Sequence, residues 1–579
     1  MKKIICIFLS ITLIMCTASC TVFEKELTLE EQLDQVISSM TLEEKVGQLF
    51  IFSIPGTELT EQTKSFLNET KAGNIILYGD NISDRQQTFD LNKSLQQEII
   101  ANTQAPAFIG IDQEGGGVTR VTDGATEFTS AMGIAATGNA ANAETVGNYM
   151  GEELRNLGFN INFAPDVDMN TNPANPIIGT RSYGDNYETV VSFSEGMIKG
   201  IQAQQVLACV KHYPGHGAAN ADTHTGLVTV DKTIDELRQS DLIPFEWAIK
   251  NGTDGIMTAH ISYPNVHDTT EPATMSEYFL KDLLRDEYGF QGLVITDSVS
   301  MGAITENYSM SEAAVTALNS GADMVVMGGA GTNEQTLSSQ LEAYNAVLEG
   351  IKNGSVSHAD IYDKVYRVLF YKHRYGLFEY VKDSYEWMVA PPTYKEAEHE
   401  DFADNVAAES ITLVKDAGGL LPIDNFENTL ILSDSAPLSV DGGPSAAEYL
   451  ADLTGAGWTS YDLESSDFNA EEIIQQARSA QRLVILSRSA FFNQEDASFI
   501  NRLTASNSNA IVISIGSPYD IRTINCNTYL CAYSGVPSTI RAVASVLKGE
   551  REITGVLPVN LDAEITVPAE SENTDTTAE

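Results

Sequence analysis

Eight short apolar runs, separated by amphipathic stretches, constrain the fold of this chain more than any other feature. The runs are Gln48–Phe52, Asn74–Tyr78, Ala107–Ile111, Asn160–Phe163, Val206–Val210, Gly255–Thr258, Leu293–Thr296 and Met324–Met327. Segments with helical periodicity lie between them, among them Ala141–Leu157, Tyr187–Gln204, Ile234–Asn251 and Ser276–Tyr288. Strands buried on both faces read as unbroken apolar runs, and their alternation with helices signals a parallel sheet under a helical cover. Eight such units within residues 28–380 predict a (β/α)8 barrel.

In such a barrel the carboxyl ends of the strands meet at one face, where the chemistry is done. Asp112, Asp166 with Asp168, Lys211 with His212, His260 and Asp297 each stand just past a run. Acids, imidazoles and a lysine are thus expected around a single mouth. An open doubly wound sheet would instead concentrate them at one crevice. Five of the eight histidines, His212, His216, His224, His260 and His267, fall between residues 212 and 267, a clustering that points to an enzyme.

At 579 residues the chain exceeds one ordinary core. Residues 381–400, with Pro391-Pro392 and mixed charges, read as a linker. Beyond it Thr429–Ser433, Arg482–Ser487, Ala510–Ile515 and Tyr529–Tyr533 are strand-like, while Glu471–Ala480 and Ser538–Lys548 are helix-like. This alternation predicts a second domain at 401–562, a three-layer α/β/α sandwich, with no catalytic constellation of its own.

Met1-Lys2-Lys3, the apolar run Ile4–Met15 and Thr17-Ala18-Ser19-Cys20 make residues 1–20 a secretory signal, too short for a permanent membrane span. The small residues before Cys20 resemble a bacterial lipobox, although Thr17 stands where leucine is usual. That resemblance implies a lipid anchor at Cys20 on the outer face of the cell membrane; without it the chain is secreted. Only Cys209, Cys526 and Cys531 then remain, which makes no disulfide framework, and Cys209 inside an apolar run reads as a small buried hydrophobe. The net charge of −46 argues against nucleic acid or anionic lipid as electrostatic partners. Residues 563–579 form an acidic tail expected to stay disordered.

Three separated motifs stand in a recognisable order: Asp112-Gln113-Glu114-Gly115-Gly116, Lys211-His212-Tyr213-Pro214-Gly215-His216-Gly217 and Thr296-Asp297-Ser298-Val299-Ser300-Met301. With Asn162-Phe163-Ala164-Pro165 and Arg181-Ser182-Tyr183-Gly184, they resemble the β-N-acetylglucosaminidases of glycoside hydrolase family 3. Ala408–Lys415 and Leu420-Leu421-Pro422 extend the likeness through the second domain.

The resemblance implies that Asp297 is the nucleophile of a retaining mechanism. A carboxylate suits an oxocarbenium-like transition state, stabilising the charge before it bonds. His224 would be the acid/base, with Asp222 holding its imidazole in the useful tautomer. Lys211, His212, Asp112, Arg120 and Arg181 would hydrogen-bond the sugar hydroxyls, whereas His216 and Pro214 would shape the loop. The implied substrates are N-acetylglucosamine-containing muropeptides or chitooligosaccharides, with no cofactor and no metal. Residues alone lead only as far as a carbohydrate-active barrel hydrolase.

Other readings compete. His212 and His216, four apart, with Asp222 and His224 could suggest zinc, but Pro214-Gly215 prevents the shared helix face that this spacing needs. A substrate-assisted mechanism would need paired acids at the strand ends. Asp235-Glu236 and Asp286-Glu287 instead sit in helix-like stretches facing the other end of the barrel. A phosphorylase, a β-glucosidase of the same family and a silent carbohydrate-binding lipoprotein remain as alternatives.

Overall fold

The computed structural model describes residues 27–266, 270–379, 396–439 and 442–565. The expected signal with Cys20, His267, most of the linker and nearly all of the acidic tail lie outside these residues. Among the described residues no helix is long and apolar enough to cross a membrane.

All eight apolar runs form strands, and the strands are parallel. In chain order they are Phe50–Ser53, Asn74–Ile76, Phe108–Ile111, Ile161–Asn162, Leu207–Tyr213, Gly255–Thr258, Leu293–Thr296 and Val325–Val326. Each pairs with the next up to the seventh, and the eighth pairs with the first, Phe50 facing Val325. A bridge between Ile295 and Met324 closes the circle. The architecture is therefore the expected barrel. Its strands are buried almost without exception because side chains fill the interior and helices cover the outside.

Two of the covering helices pack closely against each other. Ala141–Asn156 and Tyr187–Ala203 approach so closely that a Cβ on Gly200 would lie 2.3 Å from the Glu144 carbonyl oxygen. The second begins just after Arg181-Ser182-Tyr183-Gly184, where Asn186 caps it by accepting from the Thr189 N–H at 3.0 Å. The stretch expected as one helix at Ile234–Asn251 divides into Ile234–Arg238 and Ile243–Lys250, since Pro244 can open a helix but not continue one. The segment expected at Ser276–Tyr288 is a π-type helix, Tyr278–Glu287.

The second domain is the expected sandwich. Its six-stranded sheet runs Thr412–Asp416, Thr528–Cys531, Ala510–Ser514, Arg482–Ser487, Thr429–Asp434, Gly457–Tyr461, parallel except for the first. Alternation along one strand separates two cores: Val484 and Leu486 pack on one face, Leu483 and Ile485 on the other. The sheet has two strands more than the apolar runs suggested, and both are edges. Gly457–Tyr461 buries only Tyr461, so it carries no apolar run to read. The helix Glu396–Ser410 starts inside the stretch read as linker.

This domain grips the barrel. Ser130 Oγ donates to the Tyr533 carbonyl at 2.9 Å, Ser538 Oγ to the Glu127 carbonyl at 2.9 Å, and the Val556 N–H to the Ala136 carbonyl at 2.8 Å. Met132 and Ala136 of the barrel join one of the sandwich cores.

Candidate active site

The fifth barrel strand runs three residues further than expected, so Lys211 and His212 stand in its last part and not in the loop after it. Lys211, only 2% exposed, holds its Nζ 2.7 Å from Asp112 Oδ1 and 2.6 Å from Glu114 Oε1. Glu114 also accepts a two-pronged bond from Arg181, Nε at 2.9 Å and Nη2 at 2.8 Å. Bidentate contact fixes the guanidinium plane as well as its position. Burial alone would raise the pKa of Glu114, but Arg181 and Lys211 outweigh it and hold the carboxyl well below its usual range.

Arg181 Nη2 lies 3.3 Å from His212 Nε2, and His212 Nδ1 lies 2.8 Å from Asp168 Oδ2. Burial, with help from the Arg181 charge, pushes His212 down to about 4. The ring is therefore neutral near pH 7, donating from Nδ1 to Asp168 and accepting at Nε2 from Arg181. Asp168 also accepts from the His212 and His216 backbone N–H groups at 3.1 and 2.6 Å. Burial raises Asp168 despite those bonds, and burial with the adjacent Asp168 charge raises Asp166.

Asp166, Asp168 and His212 bring ligand-type atoms within 4.8 Å of one another, a spacing that could hold a cation. His212 Nδ1 is already committed to Asp168, and the Arg181 guanidinium stands 3.7 Å from Asp166 as the neighbouring positive charge. The zinc pairing of His212 with His216 finds no support in their geometry. Their rings meet edge to face at 5.6 Å, and His216 Nε2 bonds Thr223 instead.

Asp297 follows the seventh strand and its Oδ1 accepts from the Ser298 N–H at 2.7 Å. Burial would raise its pKa, yet His260, His212, the Ser298 N–H and Lys211 outweigh burial and hold the carboxylate below its ordinary value. His260 Nε2 donates to the Ser298 carbonyl at 2.8 Å and so fixes the backbone beside Asp297. Tyr78 stands close enough to Asp112 and Asp297 that, after burial, these two charges contribute to raising its hydroxyl pKa. Arg120 comes to the same region: its charge acts on Tyr78, its backbone N–H bonds Gln113 Oε1 at 2.8 Å, and its buried Nε has no partner among the described residues.

Asp222 and His224 occupy a separate, more open turn, their side chains 31% and 62% exposed. His224 Nδ1 lies 2.7 Å from Asp222 Oδ1, leaving Nε2 free to carry a proton. The turn is tied to the segment just after Asp297: Gly302 N–H donates to the His224 carbonyl at 3.1 Å and Ala303 N–H to the Thr223 carbonyl at 3.0 Å. The acids considered for substrate assistance lie elsewhere, in Ile234–Arg238 and near the end of Tyr278–Glu287, where Glu287 pairs with Arg238 at 2.7 Å.

Every expected site residue thus lies at the mouth or on the turn bonded beside it. Glu114, Asp166, Asp168, His260 and Tyr78 belong to the same surroundings although no role was assigned to them. Their signal was present, since four stand at or just past strand ends and Glu114 lies inside a quoted motif.

Residues 41–370 match the family described as glycosyl hydrolase family 3 N terminal domain. The chain is 34% identical over 388 residues to β-hexosaminidase A of Pseudoalteromonas piscicida, a match covering 64% of this chain and 64% of that protein. It therefore spans a little under two thirds of that relative. It is 25% identical over 557 residues to a β-N-acetylglucosaminidase/β-glucosidase of Cellulomonas fimi, covering 90% of this chain and 94% of the other. Among solved structures it resembles a glycoside hydrolase family 3 β-N-acetylglucosaminidase from Paenibacillus sp. str. FPU-7, with TM-score 0.82, 31% identity, and coverage of 91% of this chain and 100% of that one.

Proposed function

The chain belongs to glycoside hydrolase family 3, and from that premise we propose that it is an exo-acting, retaining β-N-acetylglucosaminidase. Asp297 attacks the anomeric carbon while His224 Nε2 protonates the leaving glycosidic oxygen. His224 then takes a proton from water, which displaces Asp297 from the glycosyl-enzyme and restores the configuration. Asp222 keeps the Nδ1 proton in place and stabilises the imidazolium. Lys211, Asp112, Arg181, His212 and Arg120 hold the sugar.

The observation that carries this reading is the 2.7 Å bond between His224 and Asp222, on a turn whose backbone is bonded to Gly302 and Ala303 beside Asp297. The named relatives, described as β-hexosaminidases and β-N-acetylglucosaminidases, support the acetamido sugar. We take the substrates to be peptidoglycan-derived fragments or chitooligosaccharides that end in N-acetylglucosamine. Export and an acyl anchor at Cys20 belong to the same proposal and rest on the sequence.

The test is product analysis on N-acetylglucosaminyl-muramyl fragments and chitooligosaccharides, with and without phosphate. Free N-acetylglucosamine, released first as the β-anomer and independently of phosphate, is expected. A sugar 1-phosphate would make the protein a phosphorylase, and an α-anomer would remove the covalent step. Asp297→Ala should abolish turnover of an aryl N-acetylglucosaminide while the fold survives; retained turnover would refute the nucleophile.

A further inference from the structure

Thr223, between Asp222 and His224, faces the opposite way from its neighbours. It is 2% exposed, and its Oγ1 lies 3.2 Å from His216 Nε2. His216 is equally buried and is held by its own backbone: its N–H donates to Asp168 Oδ1 at 2.6 Å and its carbonyl accepts from Asn175 Nδ2 at 2.9 Å. The ring is thus fixed to the wall of the sugar site, and its Nε2 is directed at the turn. Its Nδ1 is buried with no hydrogen-bond partner among the described residues, so Thr223 is the side-chain polar contact the ring makes. Leaving that nitrogen unpaired costs free energy that an apolar side chain of similar size would avoid. Shaping the loop therefore does not account for an imidazole here.

We propose that His216 is a positioning residue for the acid/base: it anchors Thr223 and so sets where the exposed Asp222–His224 pair meets the glycosidic oxygen. The inference rests on the reading of His224 as the acid/base. Burial pushes His216 down to about 3, so the ring is neutral across the working range. A threonine hydroxyl both donates and accepts, so the bond forms with either neutral tautomer. Two kinds of tie then meet at Thr223. Its carbonyl and that of His224 bind the segment beside the nucleophile, and its hydroxyl binds the segment that holds the sugar. The proton donor is registered against both.

Thr223→Val, Thr223→Ser, His216→Gln and the double variant His216→Gln/Thr223→Val can be compared with His224→Gln on aryl N-acetylglucosaminides of graded leaving-group pKa. Folding is checked by Tm. Loss of acid catalysis lowers kcat/KM for poor leaving groups and spares it for dinitrophenolate, which departs without a proton, because kcat/KM reports only the first, glycosylating step. Thr223→Val and His216→Gln should each lower kcat/KM for the poor leaving groups about tenfold, the size of one buried hydrogen bond, with inhibition by free N-acetylglucosamine unchanged. Thr223→Ser should retain wild-type rates, and the double variant should be no slower than either single one. Equal losses across all leaving groups, additive losses in the double variant, or a Thr223→Val enzyme like wild type would overturn the proposal. If His224→Gln itself shows no leaving-group dependence, the acid/base reading falls and takes this inference with it. If His224→Gln shows the dependence and Thr223→Val does not, only the anchor is wrong.

Discussion

Glu114 shows how one side chain organises the barrel mouth. Its two oxygens serve Lys211 at 2.6 Å and Arg181 at 2.8 and 2.9 Å, so a single buried negative charge orients both cations. Glu114→Gln leaves them sharing a neutral amide. Breaking a buried ion pair from one side costs about 3–5 kcal/mol, and a lower Tm together with a higher KM is the expected outcome. An unchanged KM would mean that Lys211 and Arg181 keep their places without it. The motif that contains Glu114 was visible in the sequence, but its role was not. Asp112 and Glu114 are the same kind of residue two positions apart, and only the fold shows that Glu114 joins Lys211 to Arg181.

At the level of elements, the mouth depends on two segments meeting without room for a side chain. The turn after the fifth strand passes the segment after the fourth so closely that a Cβ on Gly217 would lie 1.7 Å from the Met169 carbonyl oxygen. Gly217→Ala must push these segments apart, and with them the Asp168 bonds to His212 and His216. Activity should fall steeply and Tm with it. Gly457→Ala, whose Cβ would sit 3.5 Å from the Thr429 carbonyl oxygen, serves as the matched control in an edge strand and should leave turnover unchanged. The barrel strands were legible because burial on both faces leaves continuous apolar runs. Gly457–Tyr461 was not, because an edge strand needs little apolar side chain to hold its place.

Across the whole molecule, the junction of the two domains holds a titratable group. Burial, reinforced by the Glu400 charge and opposed by Arg541, pushes Glu127 up to about 7. The folded molecule therefore keeps a proton that the unfolded chain gives up at lower pH. This contribution to stability is complete below the ordinary carboxylate range and is lost as pH rises through about 7. Denaturation between about pH 4 and pH 8 should show wild-type stability declining relative to Glu127→Gln by roughly 3 kcal/mol. Parallel curves would show that the carboxyl is hydrated at the junction.

The sequence by itself determined the barrel, the sandwich and the motifs at the strand ends, because burial and period are local properties that each segment carries in its own residues. Only the tertiary structure decided that Glu114 pairs two cations, that His216 directs its ring at Thr223, and that the Asp222–His224 turn is tied beside Asp297. Those facts depend on distances between residues far apart in the chain, set by how strands, turns and the second domain pack, and no single segment records them.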